Sequence, residues 1–347
     1  MINFERVYTI ENCGPHFDVA ADKLFCFSDD ALCVYENANG RLVHSYEKGN
    51  AVSLCIIGDY LVTQNLQKGH SIIVDPESLK EIKQIDCLVD IYPSAVKEIV
   101  NEDYFYPICV KGNSTFRGKI SVTKFDLLEN YPVNYGLNGI WKVLKDHFIS
   151  RDERNVACHL FSDGQEMWTN NFNTLLGSDN AYHHRTFISH KKKLYFFLSH
   201  KIAAYPRATF CIDEDTGQMI HRFDEVRGDL MLCKDKVYGI TMDEISVLET
   251  ASMSVSKIDV RSALEHHSLT ISYGRSVMQD NLLYFIDGSA MPTDRLGLLD
   301  LNTGNLLWHD SIRQHGNQDA VVSNIQIYGD RLYALASDKR LHVYERT

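Results

Sequence analysis

The sequence predicts an all-β fold, a β-propeller of eight four-stranded blades. Three observations predict it: a repeat with a mean spacing of 44 residues, short apolar runs broken by turns, and a strand-like N-terminal run that completes the last repeat. The repeat is an acidic turn residue, one spacer and two large apolar residues. It occurs at Asp22-Lys23-Leu24-Phe25, Asp59-Tyr60-Leu61-Val62, Asp103-Tyr104-Phe105-Tyr106 and Asp146-His147-Phe148-Ile149. It returns at Asp235-Lys236-Val237-Tyr238, Asp280-Asn281-Leu282-Leu283 and Asp330-Arg331-Leu332-Tyr333, with a degenerate copy at Lys192-Lys193-Leu194-Tyr195. Asp favours a tight turn, and the β-branched, aromatic and aliphatic residues after it suit a strand. Helical repeats of similar period would space apolar residues by three and four over longer stretches. Only Val260 to His266 reads that way. If one degenerate copy is merely a long loop, the ring has seven blades.

Each copy continues into a second apolar run and a second turn. The clearest is Asp300-Leu301-Asn302-Thr303-Gly304-Asn305-Leu306-Leu307-Trp308, and a weaker one is Asp213 to Gly217 with His221 in the Trp position. Others are Val34-Tyr35-Glu36 leading to Asn39-Gly40, and Phe161 to Gly164 leading to Trp168. Asn-Gly and Thr-Gly supply the positive φ such turns require. The Asp-x-x-Thr-Gly-x-x-x-Trp stretch resembles the repeat of the pyrroloquinoline-quinone-type propellers, and the resemblance implies a Trp docked between adjacent blades. It is full in one blade and partial in others; near Leu248 to Lys257 both Gly and Trp are lost. Trp-Asp dipeptides are absent, which separates the chain from WD-repeat propellers.

The C-terminal Leu341-His342-Val343-Tyr344-Glu345 aligns with Leu32-Cys33-Val34-Tyr35-Glu36, the third strand of the first repeat. The last repeat therefore lacks a fourth strand, and Phe4 to Ile10 supplies one. Their pairing closes the ring and removes two open strand edges. Residues 1–347 are expected to form one domain.

Composition bounds the function. Thirty-five Lys+Arg against 46 Asp+Glu give a net charge of −11, which opposes direct nucleic-acid binding and favours a basic partner. No apolar run is long enough for a membrane helix. MINFERVYTIENC lacks the basic and apolar regions of a secretory signal. The nine Cys lie at no metal-ligand or redox spacing, and several sit inside apolar runs. A cytoplasmic, reduced location is expected. A quinone-dependent dehydrogenase would be periplasmic and calcium-bound, so no cofactor is expected.

In a propeller the second-to-third-strand connection opens on the face where ligands and partners bind. Short connections are expected at Ser28 to Asp30, Arg151 to Arg154, Met242-Asp243 and Asp338-Lys339. Long ones are expected at Lys111 to Lys119, His200 to Arg207 and Asp287 to Arg295, each carrying an Arg near its end. Arg117, Tyr205, Arg207, Met291 and Arg295 are thus candidate partner-binding residues, of types enriched at interfaces. His184 and His267 join them, because His183-His184, His266-His267 and His315 fall between expected blades. Adjacent His rarely share one metal, and no carboxylate or Cys has matching spacing, so no metal is expected. Ser189 to Lys193 reads as a solvated basic turn.

No nucleophile elbow, HExxH motif or phosphate-binding loop occurs, so no catalytic residue is assigned. The expected function is non-enzymatic binding of another protein, narrowly an acidic immunity-type inhibitor that occludes a basic toxin such as a nuclease. A monomer is favoured. The alternative is a small-ligand or sugar-binding protein or enzyme using the central channel, with His184, His267, Arg207 and Arg295 as candidates. A scaffold contacting partners through its blade sides is a third reading.

Overall fold

The computed structural model describes residues 2–28, 31–46, 54–90, 99–100, 103–132, 140–144, 147–200, 206–289, 293–315 and 320–347. It is an all-β, eight-bladed propeller. Blade one runs through Cys13–Ala20, Lys23–Ser28, Ala31–Glu36 and Leu42–Ser45; blade two through Leu54–Ile57, Tyr60–Asn65, His70–Val74 and Glu81–Ile85. Blade three uses Leu88–Asp90, a split second strand (Tyr104–Phe105 and Ile108–Lys111), Ser114–Ser121 and Leu127–Pro132. Blade four comprises Ile140–Val143, His147–Arg151, Asn155–Leu160 and Glu166–Asn171; blade five Ala181–His190, Lys193–His200, Arg207–Asp213 and Met219–Phe223. Blade six comprises Asp229–Cys233, Lys236–Ile240, Glu244–Glu249 and Ser254–Asp259; blade seven Ile271–Gln279, Leu282–Asp287, Arg295–Asp300 and Leu306–Ser311. Blade eight joins Val322–Tyr328, Arg331–Ala336 and Leu341–Arg346 to the N-terminal Phe4–Ile10.

The degenerate Lys192 copy forms a complete blade, so the ring has eight blades and not seven. Two-residue hairpins join first and second strands where both turn residues have positive φ: Ala21-Asp22, Lys191-Lys192 and Asp280-Asn281. The recurring acid marks this hairpin. Asp146 lies outside the described residues.

By compactness the chain divides into two units. One contains Met1–Val7, Glu153–Ala157 and Met167–Thr347; the other contains Tyr8–Asp152 and Cys158–Glu166. Within each, one blade's outer strand docks on the third-to-fourth-strand turn of the next. In the first unit, Trp168 Nε1 donates to Glu214 O at 3.0 Å. Its ring covers Gly217, whose φ is +69° and where a Cβ would approach the indole to 2.6 Å. Trp308 packs against Phe4 and Tyr344, with ring centroids 5.4 and 5.5 Å apart. In the second unit, Tyr8 takes the same role: its OH donates to Asn37 O at 2.8 Å, and its ring fills the space over Gly40. Tyr46 donates to Leu79 O, and Tyr131 packs on Phe161. Blade six lacks the Trp, and Gly304 instead meets the backbone of Asp259 and the side chain of Ile258. A Gly is required at these turns both for its φ and because the neighbouring blade leaves no room for Cβ.

The helix expected near Val260 is Arg261–His266. A second short helix, Phe172–Leu176, is capped by the Asn171 side chain, which accepts from the amides of Asn173 and Thr174.

One loop expectation fails. Lys111 to Lys119 is no long loop: Lys111 and Ser114 pair directly, and 114–121 is a strand. Pro107, which has no amide hydrogen, interrupts the second strand instead. A largely polar sequence whose only large apolar residues are Phe116 and Ile120 hides this strand from a hydrophobicity reading.

Phe4 is buried at the seam, edge-on to Tyr284 and against Trp308. Phe4→Ala is expected to cost about 3–5 kcal/mol of unfolding free energy. Urea denaturation reads this as a lowered midpoint; an unchanged midpoint would contradict the packing role given to Phe4.

Candidate functional site

First strands of neighbouring blades lie against one another within each unit, which marks them as the inner strands. Several are interrupted by a bulge near the end where they enter the blade. The register shifts between Cys13 and Phe17, His183 and Phe187, Ile271 and Ser276, and Val322 and Asn324. A bulge re-aims side chains that regular alternation would direct elsewhere. Gly274, with φ +67°, lies in the blade-seven bulge.

His184 was expected between blades four and five; it lies inside the first strand of blade five, at such a bulge. The bulge splits the His pair. His183 is buried and stacks on Phe172 and Phe187. His184 turns away to a partly exposed polar cluster. Its Nε2 lies 2.5 Å from Ser199 Oγ, and its Nδ1 is hydrogen-bonded to the Tyr273 hydroxyl. The Tyr273 phenol is also hydrogen-bonded to the Asp229 carboxylate, which accepts from the Gly274 amide as well.

These bonds fix the direction of each proton. Asp229 as a carboxylate can only accept, so Tyr273 donates its one hydroxyl hydrogen to it. The Tyr273 oxygen then accepts from His184 Nδ1–H, and the free Nε2 lone pair accepts from Ser199. Burial pushes His184 down to about 4, which keeps the imidazole neutral at pH 7. Burial first, then the Asp229 charge and hydrogen bond, push the Tyr273 phenol well above its ordinary value.

Ser199 pairs across the sheet with Tyr182 on the inner side and Arg207 on the outer side, so the three side chains share one face. Tyr182 and Tyr273 are nearly half exposed. Arg207 is exposed at the start of its strand. Ser199, Tyr273 and Asp229 were not singled out from the sequence. Ser199 is 15 residues from His184 and Tyr273 is 89 away, so no local motif joins them. The only local sign was Gly274 within a strand-like run, a common mark of a bulge.

The remaining candidates scatter. Arg117 is a correction: it is buried in a strand, not displayed on a loop. Its Nη1 donates to Tyr106 O at 2.7 Å, beside the Pro107 break, and burial lowers it to about 10. Arg295 stands at the end of a long connection, as expected, but is engaged within blade seven and its approach. It donates to the carboxylate of Asp287 and to the carbonyls of His267 and Ser268. Asp287 is only 2% exposed. His267 follows the helix Arg261–His266 and lies between the rings of His266 and His309. Burial, then His267 and Arg295, lower the His309 imidazole. Tyr205 and Met291 lie outside the described residues. The basic turn is partly offset locally: His190 and Lys191 pair with Asp235, and Lys192 with Asp215. No group of three or more His, Cys, Asp or Glu able to hold a metal occurs among the described residues.

Two outcomes are expected. Arg295→Ala strands the buried Asp287 carboxylate and should cost about 3–5 kcal/mol of stability, measured by urea denaturation; a cost below about 1 kcal/mol would show that the pair is not structural. The His184 ring should titrate near 4 by nuclear magnetic resonance. Because the unfolded imidazole takes its proton near 6.5 and the folded one only near 4, this residue makes the fold less stable as pH falls across that window. A His184 titration midpoint near 6.5 would refute its burial.

No family model and no curated protein matches this sequence. Solved structures do match at the level of fold. BamB from Moraxella catarrhalis superposes with a TM-score of 0.59 at 14% identity, covering 99% of this chain and 97% of that one. Sqt1 of Saccharomyces cerevisiae gives 0.55 at 10% identity over 99% of this chain and 98% of its own. The β-propeller domain of Cps50 (Swd1) from Myceliophteria thermophila gives 0.52 at 11% identity over 99% and 100%. The chain shares their β-propeller fold.

Proposed function

We propose that this chain is a protein-binding propeller whose partner is a basic protein, and in its narrower form an immunity-type inhibitor that occludes a basic toxin such as a nuclease. The observation that carries this reading is the excess of carboxylates, which leaves a net charge of −11. Surface ion pairing does not remove it. Lys83, Lys111, Lys119, Lys236, Lys257 and Arg346 each pair with a carboxylate, so each pairing consumes one charge of both signs. In the one compact basic run, Lys191 and Lys192 pair with Asp235 and Asp215. What remains for long-range attraction is negative.

A rigid scaffold with a uniform sign of field steers an oppositely charged protein into contact and suppresses like-charged competitors. The reading also places the chain in the cytoplasm as a monomer. Nine free cysteines, eight of them buried, support a reducing location. Among the described candidates, Arg207, at the start of its strand, and His267 are exposed and available to a partner.

The test is affinity purification from the native cell, followed by binding kinetics with each basic protein recovered. A 1:1 complex is expected, with an association rate that falls about tenfold or more between low and high salt. Recovery of no basic partner, or an association rate indifferent to salt, would overturn the proposal.

A further inference from the structure

We propose that Ser199 is the nucleophile of a carboxylic-ester hydrolase site on the inner part of blade five, with His184 as its base and Tyr273 and Asp229 as the groups that orient that base. Four side chains from blades five, six and seven converge in one compact unit, though they are far apart in sequence. Ser199 Oγ lies 2.5 Å from His184 Nε2, within reach for proton transfer. The other ring nitrogen is held by the Tyr273 oxygen, and the Tyr273 hydroxyl by Asp229, so the imidazole presents its lone pair to the serine. A base oriented by a third group is the arrangement that activates a serine on unrelated folds.

The surroundings suit an ester. Arg207 is the direct cross-strand neighbour of Ser199, and its exposed guanidinium has no hydrogen-bond or ion-pair partner among the described residues. A cation at that position faces the negative charge that forms on a carbonyl oxygen under attack. Tyr182, the neighbour on the other side, and Tyr273 expose their rings beside the serine. They offer a flat surface to an apolar or aromatic acyl group.

The reaction balances as a simple hydrolysis. Ser199 Oγ bonds to the carbonyl carbon while its proton passes to His184 Nε2. The Nδ1–H of the imidazolium is held by the Tyr273 oxygen, whose own hydroxyl is held by Asp229, and the oxyanion faces Arg207. Collapse breaks the bond to the alkoxy oxygen, which takes the proton from His184 and leaves as an alcohol. Water then attacks the acyl-serine, giving its proton to His184. Release of the carboxylic acid returns that proton to Ser199.

The experiment treats the purified full chain with a fluorophosphonate probe, locates the adduct by peptide mass spectrometry, and follows p-nitrophenyl acetate and butyrate hydrolysis. A single adduct on Ser199 is expected in the folded chain and none in urea. Ser199→Ala should abolish both signals with an unchanged melting transition. His184→Gln should slow labelling about 100-fold or more. Tyr273→Phe, which keeps the ring and removes the oxygen that orients His184, should slow labelling while the fold stays intact. A folded wild-type chain that leaves Ser199 unlabelled, or a His184→Gln variant labelled as fast as wild type, overturns the proposal. Either outcome leaves the basic-partner reading to its own test.

Discussion

The structure depends on one constraint: a strand edge buried or exposed without a partner is costly, and this chain satisfies its last edge with its own beginning. Phe4–Ile10 lies beside Leu341–Arg346 in a sheet whose other strands come from the far end of the sequence. The Thr347 amide donates to Asn3 O at 3.0 Å, which extends the seam past both strands. The pairing covers the free edge of Leu341–Arg346. The burial of Trp308 depends on that closure, since two of its aromatic neighbours, Phe4 and Tyr344, belong to the two sides of the seam.

Between blades the same problem recurs on a smaller scale, and the solution is an outer-strand aromatic laid over a glycine turn. Trp168 over Gly217 and Tyr8 over Gly40 show the principle with different rings. This explains how a repeat can lose its Trp and keep its place: the requirement is a side chain that covers the turn, not a particular residue. The architecture was therefore legible in the sequence, since hairpin acids, Thr-Gly or Asn-Gly turns and the unpaired N-terminal run all mark real elements. Residues 111–119 were not. A strand carrying Ser114, Thr115, Arg117, Gly118 and Lys119 has little hydrophobic signal, and Arg117 became buried because its guanidinium satisfies a carbonyl beside a proline break. No periodicity argument reveals that.

The candidate site shows the opposite balance. His184 was legible as a candidate, but its partners were not, because sequence carries local pattern while Ser199, Asp229 and Tyr273 meet only after three blades assemble. The bulge at His184 decides which of two adjacent imidazoles enters the core and which meets the serine. Charged residues were harder still. Arg295 looked like a displayed side chain and is instead tied to Asp287, whereas Arg207, of the same apparent kind, is exposed. The difference lies in whether a buried carboxylate is within reach.

The most direct test of the closed ring is hydrogen–deuterium exchange on a chain lacking residues 1–10. The account predicts that the amides of Leu341–Arg346 lose protection, that unfolding shifts to lower denaturant, and that a peptide of the missing residues restores both. Protection of that strand equal to the full-length chain would contradict it.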